Sequence, residues 1–329
     1  MLTNNEKMFI TEHYAKWKPA NFRYWEALPT PEFGNTNSEA MAEAAARKPA
    51  IVMVHGYGAS VEHFRRTFQG LKGRYRLYGL DLVGFGLSEK KSGSQVDYSP
   101  ELWARQVNAL LTFKGEERAI VVGHSIGGMV ALRFNQLFPE KVAALALIDS
   151  AGLPDQGRAE QEAARKQGRA NIDFGNFIYN AIKTPFVGET LALLLVNPLP
   201  VRRSLENAYW NKQKITPQLV EQFAGPLRTP GARDSYLAIT RHFADYQLPL
   251  KPGDVNVPTL ILWGQYDASM PPATMLPRWQ KIIPEAETFV VQDAGHCPQD
   301  ERPDLVNPRL IQFIEKVTTP KQVFSPTAN

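Results

Sequence analysis

Six short runs rich in apolar, β-branched and aromatic residues recur along the chain, at 50–54, 74–80, 119–122, 144–148, 259–263 and 288–291. Runs of this length without strict alternation of apolar and polar positions mark strands covered on both faces, as in a parallel sheet. Helical spacing fills the gaps between them; the stretch 129–138 repeats its apolar residues at helical intervals and stops at Pro139. Strand and helix therefore alternate, which predicts an α/β fold on a doubly wound, mostly parallel sheet. The alternation breaks once. Between Ile148 and Thr259 lie about a hundred residues of helical periodicity, interrupted by prolines at 154, 185, 198, 200, 217, 226 and 230 and lacking a convincing buried strand.

That break is too long for a crossover, so residues 152–248 are read as a helical cap inserted between two parts of a core, 50–151 and 249–317. Apolar members of the cap, Phe174, Phe177, Tyr179, Leu193, Leu194, Leu195 and Trp210, are candidates for pocket lining, although such a stripe more often packs against the body. Residues 1–49 read as an N-terminal extension. Its first twenty residues have some helical character, 22–28 forms an early edge strand, and 38–47 forms a short exposed helix capped by Asn37 or Ser38. Residues 318–329 are a tail.

Composition narrows the class. A chain of 329 residues with 43% hydrophobic content is ample for one large core with an inserted subdomain. The net charge of +4 is not gathered into a stripe; in 155–173, four basic residues meet four acidic ones, so no nucleic-acid partner is expected. A single cysteine, Cys297, excludes an internal disulfide and fits a reducing compartment. Glu6, Lys7, Glu12, Lys16 and Lys18 break any signal-peptide core, and apolar runs such as 191–196 are far too short to span a membrane. The expectation is a soluble, cytoplasmic protein acting on a small apolar molecule. Gly84-x-Gly86 lacks the third glycine of a dinucleotide loop because Glu89 stands there, and phosphate-loop and zinc-helix patterns are missing, so no cofactor and no metal are expected.

The chemistry enters at Val121-Val122-Gly123-His124-Ser125-Ile126-Gly127-Gly128, where a serine sits between a β-branched strand and a helix. A serine on so sharp a turn is strained, and the turn closes only when the residues two before and two after it are nearly free of side chain, as Gly123 and Gly127 are. A serine hydroxyl needs a histidine to take its proton and a carboxylate to orient that histidine. His296 follows the last strand in Asp293-Ala294-Gly295-His296-Cys297-Pro298, and Asp267 follows the strand before it. Asp149, which ends the run 144–148, is the alternative acid. The other histidines fit less well: His13, His63 and His242 read as surface or packing residues, and His124 as a packing or supporting residue. Cys297 lacks an elbow of its own. For the oxyanion, the His55-Gly56-Tyr57-Gly58 loop presents the Tyr57 N–H and the elbow helix presents the Ile126 N–H.

Together with the Asp81-Leu82-Val83-Gly84-Phe85-Gly86-Leu87-Ser88 loop, Trp263-Gly264 ahead of Asp267 and Pro271, and Gly295-His296 with Pro298, these segments occur in an order that resembles the α/β-hydrolase superfamily over residues 50 to about 315. The resemblance is to its cap-bearing serine hydrolases. It implies a triad of Ser125, Asp267 and His296, with Tyr57 and Ile126 as oxyanion donors. Serine at the elbow excludes the dehalogenase and epoxide hydrolase patterns, which place an aspartate there. The expected activity is cleavage of carboxylic esters of small to medium apolar substrates through an acyl-enzyme. The alternatives are a carbon–carbon bond hydrolase or perhydrolase with the same triad, or a non-catalytic ligand receptor. A carbon–carbon hydrolase would need a cationic anchor, for which Arg202 and Arg203 are the cap candidates.

Overall fold

A computed structural model describes residues 9–29, 43, 48–153, 198–242, 246 and 248–319. Its strands are β1 (Thr11–Ala15), β2 (Phe22–Ala27), β3 (Ala50–Val54), β4 (Leu77–Leu80), β5 (Ala119–His124), β6 (Val142–Ile148), β7 (Thr259–Gly264) and β8 (Glu287–Val291). They form one sheet in the order β1-β2-β4-β3-β5-β6-β7-β8. From β4 to β8 every pair is parallel, whereas β1 pairs antiparallel with β2 and β2 with β4. The six strand runs read from the sequence all fall in this sheet, with ends shifted by a few residues; the largest shift trims 74–80 to Leu77–Leu80.

The strand period of two divides the core between the two faces of the sheet. Val52, Val54, Val121, Leu145 and Leu147 face one cluster, which is completed by Trp103 and Val107 of α2 (Pro100–Lys114) and Met129 and Phe134 of α3 (Ile126–Leu137). Ile51, Met53, Ile120, Val122 and Ile148 face the other, against Phe68 and Leu71 of α1 (Arg65–Leu71). Local signals start and stop these helices. At α2, Ser99 accepts from the Leu102 N–H (3.2 Å), Pro100 occupies the first turn, and Gly115 ends the helix at φ 69°.

Between β6 and β7 the described part of the insertion is helical: α4 (Pro198–Ala208), α5 (Pro217–Ala224) and α6 (Ala232–His242), joined by 3₁₀ turns, with no strand among the described residues. Phe174, Phe177, Tyr179, Leu193, Leu194 and Leu195 lie outside the described residues, as does all of the 38–47 helix except Glu43 and all of the tail beyond 319. The chain then continues through α7 (Pro272–Ile282), α8 (Pro298–Glu301) and α9 (Pro303–Thr318). Val306, Leu310 and Phe313 of α9 join the second core cluster.

Two N-terminal expectations are corrected. Part of the first twenty residues forms β1 rather than helix, and β2 is therefore an interior strand rather than an edge, with all six residues buried. The cause is cross-strand. The outer side of β2 needs hydrogen-bond partners, and Thr11–Ala15 supplies them while His13 stacks on Tyr24 at 5.1 Å. Such pairing leaves no local pattern, because four of the five β1 residues are not buried.

Candidate active site

Parallel strands deliver their carboxyl ends to one edge, where loops carry the chemistry. His55 follows β3, Ser125 follows β5, Asp149 follows β6, Asp267 lies three residues beyond β7, and His296 five beyond β8. Ser125 has φ 54° and ψ −120°, a strained combination for a residue with a side chain. The turn is nailed down on both sides: Ser125 N–H donates to Ile148 O (3.0 Å), and its carbonyl accepts from Gly128 N (2.9 Å) and Ala151 N (3.0 Å). A Cβ on Gly127 would collide with the Val54 carbonyl oxygen and one on Gly123 with Gly127, so both glycines are sterically required.

Asp267 is buried, and its two oxygens are divided between two tasks. Oδ1 accepts the N–H groups of Ser269 (2.9 Å) and Met270 (3.0 Å), fixing the loop, while Oδ2 accepts from His296 Nδ1 at 2.7 Å. Burial would raise this carboxyl, but the hydrogen bond and charge of His296 hold it below the usual carboxylate range. With Nδ1 donating to a carboxylate, His296 Nε2 is the lone pair left for a proton. The His296 backbone is clamped as well: its N–H donates to Ala208 O at the end of α4 (2.7 Å), and its carbonyl accepts from His124 Nε2 (2.7 Å).

Ser125 and His296 line one cavity of about 390 Å³. Tyr57 lines it too. The Tyr57 loop is braced by His55, whose Nδ1 donates to Gly56 O (2.7 Å) and whose Nε2 accepts from Leu82 N (3.0 Å), a pattern that requires the neutral ring. Burial pushes His55 down accordingly. The Tyr57 ring packs edge-on against Phe85 and Tyr236, and its hydroxyl bonds Thr240 of α6. Ile126 is the first residue of α3, whose N–H has no acceptor within the helix.

Several residues gain a place that the sequence did not give them. His63 is not a surface residue: it is buried, lines the cavity, and meets His124 edge-on at 5.0 Å. Burial and the neighbouring His296 push His124 down to about 3, and burial with His124 also pushes His63 well down, so both rings are neutral. Tyr209, just past α4, donates to Asp300 Oδ2 (2.7 Å) beside His63, and Arg65 and Arg66 pair with Asp300 from α1. Cys297 lines the cavity with its thiol pushed well up by burial and by Glu301, which leaves it protonated. Arg202 and Arg203 do not line the cavity; Arg202 pairs with Glu206 (3.0 Å). Asp149, Asp267 and His296 are the one trio among the described residues whose ligand atoms converge within 4.8 Å, and the Asp267–His296 bond already engages one oxygen and one nitrogen of that set. No helix of the described residues is long and apolar enough to cross a membrane.

Comparison with known proteins agrees with this architecture. Residues 49–303 match the alpha/beta hydrolase fold family. Lipase 1 of Psychrobacter immobilis is 28% identical over 262 residues, covering 77% of this chain and 73% of its own. Epoxide hydrolase 3 of Xenopus tropicalis is 26% identical over 281 residues, covering 84% and 74%. The solved structure of 2-hydroxy-6-oxo-6-phenylhexa-2,4-dienoate hydrolase from Rhodococcus sp. strain RHA1 superposes with a TM-score of 0.68 at 21% identity, over 93% of this chain and 99% of that one, a likeness that carries the fold alone. The chain belongs to the α/β-hydrolase family and is a hydrolase of that family.

Proposed function

We propose that the chain is a serine hydrolase that cleaves carboxylic esters of small to medium apolar substrates, with Ser125 as nucleophile, His296 as base and Asp267 as its orienting acid. One observation carries the reading. A strained Ser125 and a His296 fixed through Nδ1 to a buried Asp267 open on the same cavity. In the first half-reaction Ser125 Oγ attacks the ester carbonyl while His296 Nε2 takes its proton. The tetrahedral oxyanion lies between the N–H groups of Tyr57 and Ile126. Collapse expels the alcohol, which leaves with the proton held on His296. Water then attacks the acyl-serine, giving its proton to His296, and the acid departs as Ser125 is regenerated.

Residues 152–248 act in this reading as the cap and set substrate choice. Val201, Leu205, Phe223 and Leu227 of the insertion give the cavity an apolar wall suited to an acyl chain. Serine at the elbow sets the chain apart from the aspartate pattern of epoxide hydrolases, and the kinship with a lipase favours ester cleavage. The test is an ester panel of increasing acyl length with wild type and Ser125→Ala, together with fluorophosphonate labelling. Wild type should turn over esters and be labelled on Ser125, and the variant should do neither. Labelling of Ser125→Ala at the wild-type rate would sink the assignment. Stoichiometric modification without turnover would favour a ligand receptor.

A further inference from the structure

Asp149 closes β6 at the carboxyl edge, fully buried, at a φ of +41° that few residues other than glycine adopt. Its N–H donates to Leu262 O (2.9 Å) and its Oδ1 accepts from Gly264 N (3.0 Å), so β7 fixes both its backbone and its carboxyl. That carboxyl stands within 4.8 Å of the Asp267 carboxylate and of His296. Two buried carboxyls this close lower their energy by keeping one proton between them. The donors around them decide where it stays. Asp267 has three: His296 Nδ1 and the N–H groups of Ser269 and Met270. Asp149 has the Gly264 N–H on Oδ1, while its buried Oδ2 faces no donor among the described residues. A bare carboxylate oxygen there is unsatisfied, whereas the same oxygen carrying a proton can donate to Asp267.

Building on the triad reading above, we propose that Asp149 is a neutral carboxylic acid that donates a hydrogen bond to Asp267, a positioning residue that keeps the Asp267 carboxylate ionised and aimed at His296 Nδ1. The surroundings agree. Burial, and next the Asp267 charge, push the Asp149 carboxyl well above the usual carboxylate range, and the bond from Asp149 adds to those holding Asp267 below it. Of the other titratable groups near the pair, Cys297 and His124 are neutral, and Glu301, raised by burial, spends its oxygens on the N–H groups of Gly295 and Asn211. Among the described residues in contact with the pair, His296 is the group that can bring positive charge, and its Nδ1 is committed to Asp267.

Asp149→Leu and Asp149→Asn separate this role from simple packing, because only the asparagine keeps both the neutral charge and a donor for Asp267. The leucine variant should lower kcat by about tenfold to a hundredfold, the range seen when partners that orient metal-bound histidines are removed. KM should stay constant, and Asp149→Asn should recover most of the loss with the acidic limb of log kcat/KM in place. An ionised Asp149 would behave otherwise: losing its charge would move that limb by about one pH unit or more, and such a movement overturns the proposal. Infrared spectroscopy reads the proton without turnover. At pH about 8, wild type and Ser125→Ala should show the C=O stretch of a protonated carboxyl that Asp149→Asn lacks, and absence of that band in wild type also overturns it. Full turnover in Ser125→Ala would fault the triad reading instead, an outcome on which the infrared band does not depend.

Discussion

The cavity has two walls of opposite character. On the body side, Tyr57, Ser125 and His296 sit on short loops at strand ends and His124 closes β5, and directional bonds to Ile148 O, Gly128 N, Asp267, Ala208 O and His296 O fix their positions. The insertion side offers Val201, Leu205, Phe223 and Leu227, which act by contact alone, beside a few polar residues, Ser204, Asn207 and Arg233. Hydrogen bonds hold a geometry to tenths of an ångström, whereas apolar contact tolerates a change of shape for a modest cost. The difference suggests a division of labour, in which the body sets the reaction and the insertion sets which molecule undergoes it. Hydrogen bonds stitch the walls together, among them His296 N–H to Ala208 O (2.7 Å), Tyr209 to Asp300 (2.7 Å) and Tyr57 to Thr240.

Substitutions on the body wall should have the largest effects. Ser125→Ala should cut kcat by about a millionfold in a folded protein, the scale seen when the nucleophile of a triad is removed. Asp267→Asn leaves the imidazole in the wrong tautomer and should cost about four orders of magnitude in kcat; a loss under tenfold would break the assignment of the acid.

Stability against pH sharpens the body wall further, because its two carboxyls have opposite signs. Asp267, held below its usual value, contributes stability that is present above pH about 3.9 and lost as pH falls through its lower folded value. Asp149, held above its usual value, keeps a proton that the unfolded chain releases, so its burial costs more as pH rises from about 3.9. Urea denaturation from pH about 3 to 8 should therefore show Asp267→Asn falling behind wild type as pH rises, and Asp149→Asn gaining on it. Parallel curves would contradict both shifts.

On the insertion wall the effects should be smaller and should move preference rather than chemistry. Phe223→Ala should lengthen the preferred acyl chain, with each added carbon that finds room gaining about fourfold in kcat/KM, or about 0.8 kcal/mol per buried methylene. The rate of Ser125 labelling by a small fluorophosphonate should not change. An unaltered length profile would move specificity to the loops around Tyr57 and Met270. Smallest of all, Tyr209→Phe loosens the seam between the walls while Arg65 and Arg66 still satisfy Asp300. It should cost about 1 kcal/mol of stability and leave kcat near wild type, as calorimetry and an ester assay would show.

Much of the site was legible because its parts are local. Val121 to Gly128 carries strand, strained turn and helix in eight consecutive residues, and the glycines that make the turn possible are visible as letters. Asp267 and His296 could be named because each follows a short apolar run that reads as a strand. For His63 the sequence left surface and packing open, because its helical neighbourhood says nothing of the segments that cover it, Tyr209 from the insertion and Gln299 from α8. Arg202 and Arg203 were the cap candidates for the cationic anchor that a carbon–carbon hydrolase would need, and neither lines the cavity, Arg202 pairing instead with Glu206 one turn along α4.

The sequence by itself determined the parallel strands, the helical character of the described insertion and the elbow. These depend on side-chain period, β-branching and glycine over spans of a few residues, where short-range sterics dominate. Only the tertiary structure decided that β1 would cover the outer side of β2, and that Asp149 and Asp267 would share one hydrogen-bonded corner with His296. Asp149 and Asp267 follow adjacent strands of the sheet, β6 and β7, but are separated in the chain by the whole insertion. Which of two such carboxyls keeps a proton depends on the count of donors around each, and those donors arrive from β7 and from the loops that follow β7 and β8. No local pattern records that count, because burial and a neighbour's charge are properties of the assembled sheet edge.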